Sequence, residues 1–301
     1  MFDTQGGSMN QIAQIAMSER SVLFITVDSC RYDSFSQART PTFDSLGHTR
    51  AAGTHGTYTL PAHMSFFMGY LPSVITPPFN DFYSPEVRQL WRLASGRQRD
   101  PMTIGVSIDG ESVPKSYAKR GFRVIGAGGV RWFRHPALAK HFDTFHFYGK
   151  NDFVSVFTER EASEFPLNHI DELVDEIGSD PFFLFINCPE THVPYDCGVA
   201  PLPESAKETI KKHKTLWGLK KAFSHEVDVD TAALAQLQKL QVAALEEVDR
   251  KVGILLSKIS HPLLVVIAGD HGECFGEDGM WGHGYPHEKV TEVPLLIATV
   301  N

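Results

Sequence analysis

The chain has 301 residues, 42% hydrophobic and 21% charged, and its 28 basic and 36 acidic side chains leave a formal net charge of −8. That balance is one of a folded globular protein with room for one large domain or two smaller ones, and it excludes general disorder and a small disulfide-stapled scaffold. No Lys/Arg stripe marks sequence-independent binding of nucleic acid or of an anionic membrane, so a phosphate-bearing partner has to be met by a local site.

Residues 1–20 read as an N-terminal extension. Asp3, Gln5, Gln11, Gln14 and Glu19 interrupt its apolar residues, so it lacks the unbroken core of a signal peptide. No stretch approaches the ~20 apolar residues of a membrane span, and four cysteines without a CxxC pair point to a reducing compartment. The expectation is a cytoplasmic protein with neither a membrane nor a nucleic-acid partner. Apolar runs follow at Val22–Val27, Thr103–Ile108, Phe122–Ile125, Phe182–Asn187, Leu263–Ala268 and Val293–Val300. Each is apolar at nearly every position, the pattern of strands buried on both faces of a parallel sheet. Helical spacing falls between them at Pro85–Ser95, Ser112–Arg120, His169–Ile177 and Thr231–Ile259; in the last, Leu234, Leu237, Val242, Leu245, Val248, Val252, Leu255 and Leu256 recur at helical spacing. Residues 196–229, with Pro201, Pro203 and a Lys-rich middle, read as an insertion or lid. The alternation predicts a doubly wound α/β fold, a three-layer αβα sandwich around a mostly parallel sheet.

Ligands of such sheets bind beyond the carboxyl ends of the strands, and chemistry-bearing residues stand at those positions. Asp28 follows the first run, Asp270 and His271 follow the run from Leu263, and His192 lies just past Asn187. Each alone has a plainer reading, as a turn cap or an incidental histidine. Together, two carboxylates and an imidazole form a set suited to a divalent cation such as Mn or Zn. In Thr59-Leu60-Pro61-Ala62-His63 the spacing predicts a helix start with Thr59 at the N-cap. A hydroxyl there faces free N–H groups and the positive end of the dipole, which suits a structural cap and a nucleophile beside an anion equally.

With these residues in view, the chain resembles the alkaline phosphatase superfamily, and within it the sulfatase-like hydrolases and transferases. Val22 to Asp33 is similar to the opening strand with its metal-binding Asp28. Thr59-Leu60-Pro61-Ala62-His63-Met64-Ser65-Phe66-Phe67-Met68-Gly69 is similar to the nucleophile motif. His192-Val193-Pro194-Tyr195 resembles the substrate-binding His-x-Pro-Tyr element, and Gly269-Asp270-His271-Gly272-Glu273 through Gly282-His283-Gly284 resembles the closing motif. The resemblance implies a catalytic domain over 21–301 without the smaller C-terminal subdomain of many relatives. It further implies Asp28, Thr59, Asp270 and His271 around the metal, Thr59 as nucleophile, and His63, His192 and His283 as groups that stabilise the reacting oxygens or protonate the leaving group.

Departures from the pattern narrow the chemistry. A Thr cannot be oxidised to formylglycine as the sulfatase Cys or Ser is, the calcium-binding Asp pair is Asp28-Ser29 here, and His283 stands in place of the sulfatase Lys. The resemblance therefore implies a phosphoester or phosphonate hydrolase working through a phospho-threonine on a small anionic ester. Alternatives are a phosphoethanolamine-transferase-like enzyme, a sulfatase-type hydrolase, or an inactive metal-binding relative. One Mn or Zn is expected, Ca or Mg being the other candidates; Glu190 and His287 are the residues that a second metal would use. Cys30, Cys188, Cys197 and Cys274 all lie near motif residues in sequence and read as small apolar fillers rather than as a metal site.

Overall fold

In the computed structural model, residues 20–69, 91–94, 105–108, 111–150, 157–214, 229–260 and 262–301 are described. In chain order the elements are β1 (Ser21–Val27), α1 (Tyr32–Gln37), α2 (Pro41–Leu46), β2 (Arg50–Gly53), α3 (Thr59–Met68), β3 (Trp91–Ala94), β4 (Gly105–Ile108) and α4 (Val113–Lys119). They continue with β5 (Arg123–Gly128), α5 (Pro136–Ala139), β6 (Thr144–Phe147), α6 (Ile170–Ile177), β7 (Phe182–Cys188), α7 (Glu204–His213) and α8 (Thr231–Lys258). The last are β8 (Leu263–Gly269), β9 (Cys274–Phe275), β10 (Trp281–Gly282), α9 (Glu288–Thr291) and β11 (Glu292–Val300).

A seven-stranded sheet in the order β2-β11-β8-β1-β7-β5-β6 organises the chain. The pairs β8-β1, β1-β7, β7-β5 and β5-β6 are parallel, whereas β11 runs antiparallel to both β8 and β2. Alternate residues of the central strands feed two apolar layers. Leu23, Ile25 and Val27 of β1 pack with Leu184, Ile186, Val265 and Ile267 against Leu245, Val248, Val252 and Leu255 of α8 and Leu173 and Ile177 of α6. On the other face Val22, Phe183, Phe185 and Leu264 meet Met64 and Phe67 of α3, Tyr117 of α4 and Leu138 near the end of α5. This is the αβα sandwich, and cutting any of these large side chains to alanine would cost about 2–5 kcal/mol.

Several expectations are corrected. The run ending at Ile108 joins no parallel sheet: its described part, β4, pairs antiparallel with β3 in a separate two-stranded sheet. The helix expected over Pro85–Ser95 contains β3 at Trp91–Ala94, and its remaining residues lie outside the described set, as do residues 1–19. The run Val293–Val300 is a strand, but an antiparallel one, partly exposed along its length. Within 196–229, α7 buries Ala206 and Ile210 against Leu234 and Leu237 of α8, and residues 215–228 lie outside the described set.

Helix ends follow from local chemistry. The Ser112 hydroxyl accepts from Lys115 N at the start of α4, and Asp230 Oδ1 from Ala233 N at the start of α8. The α2 amides of Thr42 and Phe43 donate to the buried Asp249 carboxylate at 3.1 and 2.8 Å, so α8 caps a helix lying across it. Gly69 ends α3 in the left-handed region at φ 64°. Among the described residues no helix is long and apolar enough to cross a membrane.

Candidate metal centre and nucleophile

Strand direction brings the candidate residues together. The carboxyl ends of β8, β1 and β7 lie side by side, in register through Val27↔Gly269 and Val27↔Cys188, and the next residues carry the polar groups. Asp28, Asp270 and His271 are each fully buried, and one ligand atom from each lies within 4.8 Å of the others. Among the described residues no other such group converges.

Backbone groups aim Asp270 and His271, and side chains aim Asp28. Ser29 N and His271 N donate to Asp270 Oδ1 at 3.0 and 2.9 Å, which turns Oδ2 inward without a hydrogen-bond partner. His271 Nδ1 lies 2.9 Å from the Gly272 carbonyl. A carbonyl only accepts, so Nδ1 carries the proton and Nε2 presents its lone pair, 3.4 Å from Asp270 Oδ2 and 3.7 Å from Asp28 Oδ1. Gly272 is required at this turn, because a Cβ there would stand 2.2 Å from the Lys289 carbonyl oxygen. Asp28 Oδ2 accepts from Asn187 Nδ2 at 3.0 Å and from the Thr59 hydroxyl at 3.4 Å.

A bare imidazole lone pair facing two buried carboxylates, with no protein donor for Nε2 or Asp270 Oδ2, is an arrangement that a cation satisfies. The electrostatics agree. Burial, with the charge of Asp28 added, pushes the Asp270 carboxyl well above its usual range. Against the same push of burial, His192, His271 and the Asn187 hydrogen bond hold Asp28 below its own. Burial lowers His271 and lowers His283 further, and brings His192 down to about 4, so neutral imidazoles line the site. Two carboxylates and one imidazole nitrogen fit a divalent cation such as Zn or Mn.

Thr59 is the first residue of α3, and Tyr58 takes the N-cap, one position earlier than the sequence predicts. The Thr59 hydroxyl is therefore free of capping and turned to Asp28. His283 and His192 border the triad: the His283 ring centroid lies 4.3 Å from that of His271 and 5.2 Å from that of His192. His192 Nδ1 donates to the Val193 carbonyl, which orients its other nitrogen. His63 is placed differently. It is fully buried, and both ring nitrogens are committed, Nδ1 to the Thr59 carbonyl at 2.7 Å and Nε2 to the Thr26 hydroxyl at 2.9 Å.

Glu190 is buried beside Lys251 and Arg160, and His287 caps Lys289 N and faces Asp278; neither belongs to the convergent group. The four cysteines are free, and burial raises each thiol, Cys274 to about 12, as expected of apolar fillers. Sequence reasoning passes over Thr26, Thr191, Asn187, Gln241 and Glu273 as site residues. Asn187 and Gln241 do carry a signal: each is a polar residue inside an otherwise apolar run, at the end of β7 and in the buried stripe of α8.

The Sulfatase family model matches residues 20–300, and the chain belongs to that family. No curated protein matches. Solved structures of low sequence identity share the fold. They include the C-terminal periplasmic domain of EcEptC from Escherichia coli in complex with Zn, with a TM-score of 0.56 and 14% identity over 95% of this chain and 74% of that one. A phosphonate monoester hydrolase of Agrobacterium radiobacter aligns with TM-score 0.58 and 14% identity over 92% and 68%. A putative sulfatase from Bacteroides fragilis aligns with TM-score 0.58 and 17% identity over 93% and 68%.

Proposed function

We propose that the protein is a metal-dependent hydrolase that cleaves a phosphoester or phosphonate ester through a covalent phospho-threonine at Thr59. Family membership supports an ester hydrolase or transferase. The observation that carries the finer reading is the Thr59 hydroxyl, uncapped at the start of α3 and 3.4 Å from a carboxylate oxygen of the convergent triad.

Asp28, Asp270 and His271 would hold one divalent cation, Zn or Mn. When bound, such an ion lowers the pKa of a neighbouring hydroxyl and polarises a phosphoryl oxygen. Thr59 Oγ1 then attacks phosphorus as the bond to the leaving-group oxygen breaks, and its proton passes to solvent or a neighbouring base. The first amides of α3 face the equatorial oxygens. His192 or His283, neutral at rest, takes up a proton to deliver to the leaving oxygen and afterwards accepts one from the water that releases Thr59. His63 ties the Thr59 carbonyl to Thr26 of β1, which holds the nucleophile's backbone against the sheet.

The test is Thr59→Ala against Thr59→Ser with a phosphate diester and a phosphonate monoester. Thr59→Ala is expected to lose roughly 10³-fold or more in kcat while keeping its metal and its melting temperature, and Thr59→Ser to retain measurable turnover. Acid-quenched wild-type protein should carry a phosphoryl adduct on Thr59. Full activity in Thr59→Ala would sink the assignment, and product appearing only when an alcohol is supplied would make the enzyme a transferase.

A further inference from the structure

The three segments that carry the site leave separate strands, and one side chain that belongs to none of them joins all three. Gln241 lies mid-helix in α8, fully buried. Its Nε2 is 2.9 Å from the Ser29 carbonyl after β1, 3.1 Å from the Thr191 carbonyl after β7, and 3.2 Å from Glu273 Oε1 after β8. All three partners are acceptors, so the amide orientation is settled: a flip would set Oε1 against three oxygens. Each partner is adjacent to site machinery. Ser29 follows Asp28 and donates its amide to Asp270, Thr191 precedes His192 and gives its hydroxyl to the Asp28 carbonyl, and Glu273 Oε2 lies 3.5 Å from His283 Nδ1.

A polar side chain in the apolar stripe between Leu237 and Leu245 adds nothing to helix packing that leucine would not supply. Its two hydrogens serve three acceptors, and losing them would leave two buried carbonyls and a carboxylate without that donor. The consequence falls on spacing: without the shared donor, the Ser29, Thr191 and Glu273 segments lose their common hydrogen-bonded anchor on α8. We propose that Gln241 is a positioning residue for the metal centre, a tie from α8 that holds the Asp28, His192 and Asp270–His271 segments at ligand spacing and thereby sets the affinity for the cation.

The proposal rests on the reading of Asp28, Asp270 and His271 as metal ligands, and the experiment separates the two. Dialysed wild-type, Gln241→Met, Gln241→Asn and Gln238→Met proteins are titrated with Zn, Mn and Co, following affinity and the visible spectrum of bound Co, with the melting temperature of each metal-free protein alongside. Gln238, one turn earlier, donates to Ser34 Oγ away from the site and controls for loosening of α8. Gln241→Met is expected to bind the metals roughly tenfold to a hundredfold more weakly with an altered Co spectrum. Gln241→Asn, which keeps the amide but shortens its reach, should weaken binding as well and carries the test if the Met variant does not fold. Gln238→Met should match the wild type in both readouts. Wild-type affinity and spectrum in the Gln241 variants, or equal weakening in Gln238→Met, would overturn the proposal. A wild-type protein that takes up none of the three metals would instead overturn the metal reading beneath it.

Discussion

The Thr26 hydroxyl donates to Nε2 of His63 across 2.9 Å, from a buried strand to a buried helix. His63 gives its Nδ1 proton to the Thr59 carbonyl, and Asn187 Nδ2 donates both to Thr26 Oγ1 and to Asp28 Oδ2. With the contact of Thr59 Oγ1 to Asp28, a closed circuit runs from ligand to nucleophile through the side chains of Asn187, Thr26 and His63. His63→Phe preserves the ring packing against Phe66, Phe67, Phe133 and Phe185 while removing both hydrogen bonds. It should cost about 1–3 kcal/mol in denaturant unfolding, and kcat should fall with KM nearly unchanged. An unaltered kcat would show that the circuit supports the fold alone.

Protonation of the leaving group predicts a dependence on its basicity. Of His192→Ala and His283→Ala, the variant that loses the general acid should fall by about 10²–10⁴ in kcat/KM on alkyl esters and far less on nitrophenyl esters, whose leaving group needs no proton. Equal losses on both ester types would assign that histidine to binding instead.

Because burial and Asp28 raise the Asp270 carboxyl well above its usual range, the metal-free protein holds a proton there to higher pH than an ordinary carboxyl does, and a cation must displace it. Metal binding should therefore release protons and weaken as pH falls. Calorimetric titration in buffers of different ionisation enthalpy measures the release directly. Asp270→Asn should abolish the release and most of the affinity, and heats independent of buffer would contradict the expectation.

Acid sensitivity of the fold has a contribution far from the metal. His141, buried against the Phe67 ring, is brought down to about 4 by burial and the charge of Lys140. The unfolded chain, with its imidazole near 6.5, binds more protons between those values. The stability is thus fully present above about 6.5 and lost as pH falls through 4. His141→Phe should flatten the decline in melting temperature over that window; an unchanged decline would exclude His141 as a source.

Strands β1, β7 and β8 are legible because burial on both faces writes an unbroken apolar run, and their tips are legible because Asp28 and Asp270–His271 directly follow them. Edge strands leave weaker marks. Arg50-Ala51-Ala52-Gly53 carries no large apolar residue, and β6 is only four residues long. The antiparallel sense of β11 is invisible to periodicity, since a run reads the same in either direction. Residues that act through distant contacts are the hardest to read: the hydrogen bonds of Gln241 and Asn187 span 32 to 212 residues, and no local pattern records them.

The central strand β1 pairs on one side with β7 and on the other with β8, and the amide of Ser29 reaches Asp270 across 241 residues of chain. Closing loops of that length is entropically slow and comes after local helices have formed. During synthesis, the Asp28 end of the site exists long before its partner has been made, and a half-built chain offers only one of the two carboxylates. A cation held by Asp28, Asp270 and His271 would therefore be retained only by molecules in which β8 has found its slot between β1 and β11.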